Sequence, residues 1–240
     1  MALKNVFISL LLLSFLNSGR GQTADDLISK YIQHIGGAQK WSTIKTIVIS
    51  GNYNYGGMVF PFKSFSKAPN LYKYIVSSNG KSFEQAFDGV EGWKIDGFKN
   101  ETKKTILTGK SGTAMANEAD VDIESPLINY KLKGHTAILE GQETVDSQQC
   151  FKIKLITDDG DTGRYFFSTA NFELLKKQSV SKNEELDSSV VDIFYSDYRE
   201  INGIRIAYNT VCKVGDQAIL TITFDNVTFD EPLSDDEFKR

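Results

Sequence analysis

From residue 134 to 229 apolar and polar positions alternate in short runs, each closed by a turn signal. Phe151, Ile153 and Leu155 alternate with Lys152 and Lys154, and Leu220, Ile222 and Phe224 with Thr221, Thr223 and Asp225. A period of two sends successive side chains to opposite faces of a strand, so one face is wet and the other buried. Strands are predicted at 135–145, 149–157, 162–169, 172–180, 189–198, 203–214 and 218–229. The turns are Asp159-Gly160, Ala170-Asn171, Asn202-Gly203 and Gly215-Asp216. After Phe224 the apolar phase moves to Val227 and Phe229, which predicts a bulge near Asp225-Asn226. Earlier strands begin at Ile44 and continue at 58–66, 71–77, 82–87 and 92–98, with Asn79-Gly80 a hairpin turn. A long antiparallel meander with one apolar face encloses a greasy ligand readily and leaves few loops for catalysis.

Helical patterns flank and interrupt the strands. Thr23 is the predicted N-cap of a helix with Asp25 and Asp26 in its first turn. Leu27, Ile28, Tyr31, Ile32 and Ile35 share one face, and Gly36-Gly37 ends it. A short helical turn at 38–42 carries Trp41. The 109–132 region breaks the meander: 113–120 is Ala-rich and contains Met115, and Ser125-Pro126 reads as an N-cap followed by a first-turn proline. One or two short helices ending at Gly134 are expected there.

The first 21 residues read as a secretory signal peptide. Lys4 precedes an apolar stretch at 6–16, too short to span a bilayer, and Gly19 and Gly21 suit a cleavage site. No cysteine follows the stretch, so the chain is not expected to be a lipoprotein itself. The expected mature chain, residues 22–240, forms one domain and is exported. Removing Lys4 and Arg20 from 27 basic and 31 acidic residues leaves 25 against 31, a net charge of −6. That balance argues against nucleic acid and against docking on anionic membranes. No later segment is apolar enough to be a transmembrane helix.

Catalytic motifs are missing. Gly109-Lys110-Ser111 lacks the earlier glycine of a phosphate-binding loop, since Lys104 holds that position. Asp158-Asp159-Gly160-Asp161 has Thr169 where a calcium loop needs its bidentate glutamate, so a hairpin turn is expected. Neither G-x-S-x-G nor H-E-x-x-H occurs. His34 and His135 are read as structural or surface residues, and Asp235-Asp236-Glu237 as a solvated end. Cys150 and Cys212 would lie four strands apart in a sequential meander, roughly 19 Å, whereas bridged Cα atoms sit within about 7 Å. Their alternation phases differ as well, so two free thiols are expected. The reading is a non-enzyme with no metal and no cofactor.

The stretches DDLISKYIQHIGGAQKWSTIKTIVISG, QAFDGVEGWKID, SPLINYKLKGHTAILEGQETVDSQQCFKIKL and DIFYSDYREINGIRIAYNT occur in the order that resembles LolA-like outer-membrane lipoprotein-sorting proteins, in their Bacteroidetes-type form. Ala207 departs from the proline of many relatives. The resemblance implies a mainly β fold, a half-open antiparallel barrel of about eleven strands with an N-terminal helix and short lid helices. It also implies a periplasmic carrier that holds the acyl chains of a lipidated protein, or another lipid-like apolar ligand. The expected cavity is lined by Phe60, Phe62, Phe83, Phe87, Trp93, Phe151 and Ile153 and covered by Met115, Leu127 and Ile128. The alternative is an envelope sensor or interaction module of the same fold, with an envelope protein as partner.

Overall fold

The computed structural model describes residues 22–239 except 124, 182–185 and 187; the signal-peptide reading of 1–21 lies outside them. Helix α1, Ala24–His34, opens on the expected cap. The Thr23 hydroxyl accepts from the Asp26 amide at 3.1 Å, and the Asp26 carboxylate accepts from the Thr23 amide at 3.2 Å. Gly36 and Gly37 follow with φ of 115° and 87°. At Gly36 a Cβ would lie 2.5 Å from the Gly203 carbonyl oxygen, so glycine lets the helix exit against the sheet. A short α2, Ala38–Thr43, then leads into the first strand.

The first half of the sheet is β1 Thr46–Tyr55, β2 Met58–Lys67, β3 Leu71–Ser78, β4 Lys81–Phe87, β5 Gly92–Asp96 and β6 Thr105–Leu107. Helix α3, Gly109–Ile123, intervenes. The second half is β7 Thr136–Val145, β8 Gln148–Ile156, β9 Thr162–Ser168, β10 Leu174–Val180, β11 Val190–Ile201, β12 Ile204–Val214 and β13 Gln217–Phe229. All thirteen form one antiparallel sheet in the order β6-β5-β4-β3-β2-β1-β13-β12-β11-β10-β9-β8-β7. Within each half sequence neighbours pair, and β1 on β13 joins the halves. The outermost strands, β6 and β7, are not paired with each other, so the sheet is an open antiparallel one, a half-open barrel.

The bulge falls where the pattern shifted phase: Ser50 pairs with Asn226 and Gly51 with Phe224, leaving Asp225 unpaired. Gly51 is required beside it, because a Cβ there would lie 2.0 Å from the Thr223 carbonyl oxygen. Asn79 and Gly80 both adopt positive φ, 51° and 75°, in the two-residue β3–β4 turn.

Register assigns the inner face. Ile153, Tyr165, Lys177, Ile193, Cys212 and Leu220 lie in one row across β8 to β13. Phe60, Tyr53, Ile222, Thr210 and Tyr195 lie in another across β2 to β11. At one end α1 buries Leu27, Ile28 and Tyr31 against Phe151, Ile153, Leu155, Tyr165 and Phe167. At the other, Met115 and Ala119 of α3 pack on Tyr72 and Phe87.

The structure departs from the expectations at three places. The strands number thirteen, because the three-residue β6 is too short to show a period and the 44–98 runs pair into the same sheet. The lid region holds one 15-residue helix, and 126–134 forms hydrogen-bonded turns in place of a proline-started helix. At the C-terminal end Asp235, Asp236 and Glu237 are exposed as expected, but the segment that carries them is docked on the sheet. Lys67 donates to the Leu233 carbonyl at 2.6 Å and to Asp235 at 2.7 Å, and Phe238 is fully buried.

Candidate functional site

Between the two helix-covered ends the inner face is apolar yet incompletely covered. Tyr53, Phe224, Ile222, Leu220, Ile193, Tyr195 and Cys212 are all half-buried and all point inward. Their neighbours form a connected aromatic floor. Tyr53 and Phe62 have ring centroids 4.4 Å apart, Phe62 and Phe224 6.1 Å, and Tyr208 and Phe224 6.0 Å. Tyr74 continues it towards β4, 5.8 Å from Phe83. Burial drives the Tyr74, Tyr165 and Tyr195 phenols far above their ordinary range and pushes the Lys177 ammonium down.

The expected cavity residues separate into groups. Phe60, Phe62 and Phe83 belong to the floor, with Phe60 half-buried 6.4 Å from Phe98. Phe87 and Met115 fill one end; the Met115 sulfur accepts a hydrogen bond from Gln85 at 2.8 Å. Phe151, Ile153, Leu127 and Ile128 fill the other end with α1, so Leu127 and Ile128 belong to that core and not to a separate lid.

Trp93 is on the other face. It pairs with Ala86, one residue out of phase with the inward Phe87, and packs with Ile95. Its indole donates to the Phe238 carbonyl at 2.8 Å. The docked C-terminal segment gives this outer position an apolar cover, which is why an indole there is fully buried. Sequence reading missed Tyr53, Lys177, Ile193 and Tyr195, although the β13 alternation pointed to the face they share.

His34 and His135 have structural partners. His34 lies 3.4 Å from Glu173, which also receives Arg205 Nε at 3.0 Å, and His135 lies 3.7 Å from Asp158. Cys150 and Cys212 are free and lie on opposite faces, four strands apart. Among the described residues no three His, Cys, Asp or Glu side chains are grouped to hold a metal ion. No described helix is long and apolar enough to cross a membrane. An open groove of about 540 Å³ lies beside β11. β10 pairs only with its first half, from Val190 to Phe194, and Leu175, Phe194, Ser196, Tyr198 and Val211 line the space beyond.

No protein-family model matches the chain, and no curated protein does. Solved structures do match it. A DUF1329 family protein from Desulfovibrio piger aligns with a TM-score of 0.61 at 15% identity, over 90% of this chain and 97% of that one. A LolA superfamily protein from Nitrosomonas europaea gives 0.58 at 13% identity, over 91% and 98%. The chain has a LolA-like fold. A domain from Vibrio parahaemolyticus assigned to outer membrane lipoprotein sorting gives 0.57 at 12% identity, over 89% and 95%. These alignments run over nearly the whole of each chain. Identities this low establish the fold and leave the occupant of that face to be argued from the residues.

Proposed function

We propose that the protein is an exported, periplasmic carrier whose inner face holds the acyl chains of a lipoprotein or another apolar ligand. The observation that supports this most is the half-covered aromatic floor between α1 and α3. A soluble chain rarely keeps so much inward apolar surface uncovered without an occupant. Phe60, Phe62 and Phe83 would touch the ligand, and Phe87, Met115, Leu127, Ile128, Phe151 and Ile153 would hold the ends of the trough rigid. Each buried CH₂ contributes about 0.8 kcal/mol, so a few chains are held without polar contacts. The lipoprotein-sorting assignment of a structural neighbour agrees with this use of the fold.

Native mass spectrometry of protein purified from its own host should show lipid or lipoprotein bound at one equivalent. Bare protein that also takes up no fluorescent fatty acid would defeat the proposal. A second reading, a protein-interaction module, draws on the groove beside β11. It requires a stoichiometric protein partner recovered without lipid.

A further inference from the structure

Four polar side chains of the inner face and of α1, Lys177, Tyr165, Tyr195 and Tyr31, lack a hydrogen-bonding partner in the protein. Lys177 leaves β10 inward, in register with Tyr165 on one side and Ile193 on the other. Its ammonium lies 5.7 Å from the Tyr165 ring. Tyr195 is two residues beyond Ile193 on the same face. Tyr31 enters from α1 with its ring 5.0 Å from Phe167, itself 6.5 Å from Tyr165. Neither the Lys177 ammonium nor the hydroxyls of Tyr31, Tyr165 and Tyr195 form a hydrogen bond or ion pair with a described residue.

They are not sealed orphans. Among the described residues every wholly buried side-chain nitrogen or oxygen has a hydrogen-bond partner. These four ends therefore keep some accessible surface, although Tyr31 and Tyr165 are otherwise buried. The three phenols sense one another: after burial, Tyr165, Tyr31 and Cys212 raise the Tyr195 phenol. Burial alone lowers Lys177, and no carboxylate acts on it. Glu173, which acts on Tyr198, is engaged by Arg205 and His34, while the Tyr198 hydroxyl donates to the Leu174 carbonyl at 2.7 Å. A cation and three phenolic hydroxyls with no carboxylate acting on the cation, set in apolar walls, suit an anion.

We infer that the cargo is an amphiphile with a single anionic headgroup, a carboxylate or a phosphate, seated between Lys177 and the hydroxyls of Tyr31, Tyr165 and Tyr195 with its tail along the aromatic floor. From β10 to Phe60 on β2 is five strand spacings, about 24 Å along the sheet. That path serves a long acyl tail. The inference rests on the carrier reading and narrows it, since an uncharged headgroup would leave Lys177 unpaired.

The test measures retention of radiolabelled oleate, 1-oleoyl lysophosphatidate and oleyl alcohol by delipidated protein in gel filtration. The wild-type chain should hold at least one of the two anions about ten- to a hundredfold more tightly than the alcohol. The more tightly held anion identifies the headgroup. Lys177→Met should lose that advantage, and Tyr195→Phe should lose part of it. Equal binding of all three by the wild type, or an undiminished preference in Lys177→Met, overturns the inference and leaves the carrier reading standing. Binding of none overturns both. Should Lys177→Met fail to fold, the wild-type comparison decides alone.

Discussion

Lys176 and Lys177 are adjacent in sequence and opposite in fate. Lys176 is buried on the outer face, its ammonium 4.1 Å from the Phe166 centroid and within 4.0 Å of both Glu143 and Asp192. Lys177 faces the inner side with the Tyr165 ring 5.7 Å away and no carboxylate paired with it. A lysine pair in a strand reads from sequence as a wet face, because charged side chains are seldom buried unpaired. Nothing local in LLKKQSV distinguishes the two; only the strands on either side do. Glu173 shows a second residue effect. Burial raises its carboxyl, but hydrogen bonds from Arg205, Asn171 and His34 outweigh that and hold it below the ordinary glutamate range. A group lowered in the folded state contributes stability above its unfolded pKa, and that contribution disappears as pH falls through the folded value. Glu173→Gln should therefore destabilise the protein by about 1–3 kcal/mol at neutral pH and by progressively less on acidification. Urea midpoints measured across the acid range would show the two curves converging.

Among the elements, the strands with clean alternation were legible and so was the bulge at Asp225, because both are written in the phase of apolar residues. β6 was not, since three residues carry no period. β5 was legible as a strand but not as to face: Gly92, Trp93 and Ile95 are buried on opposite sides, and both sides are covered. The cover on the outer side comes from residues more than 130 positions away, and the three exposed acids before Phe238 gave no sign that it docks. The docked tail is thus a structural element in its own right, bound through Thr46 to the Glu231 carbonyl at 2.7 Å, through Lys67, and through Trp93. Phe238→Ala should cost about 3–5 kcal/mol as a fully buried ring is lost. It should also shift the Trp93 fluorescence to the red, which a denaturation series followed by emission wavelength would register.

For the whole molecule, the fold class was readable from one sequence while the occupancy of the barrel was not, since inward apolar positions look alike whether packed or vacant. The positions that mark the half-covered stretch, Tyr53, Ile193 and Tyr195, are ordinary strand residues until register brings them together. The two thiols report on that stretch separately. Cys212 is half-buried on the inner face and Cys150 is fully buried on the outer one, and burial raises both thiols. In the native protein a maleimide should label Cys212 slowly and Cys150 only after unfolding, with intact mass unchanged by reductant. A bound long-chain ligand should protect Cys212.

The separation of β6 from β7 has a mechanical meaning. A closed barrel changes its girth only by breaking ladder hydrogen bonds, whereas a curled sheet with two free margins widens by flexing. Its stiffness then resides in α1 and α3, which bear on opposite ends of the inner face, and not in any strand pairing. On the carrier reading, such a clasp would admit guests of different bulk by spreading its margins.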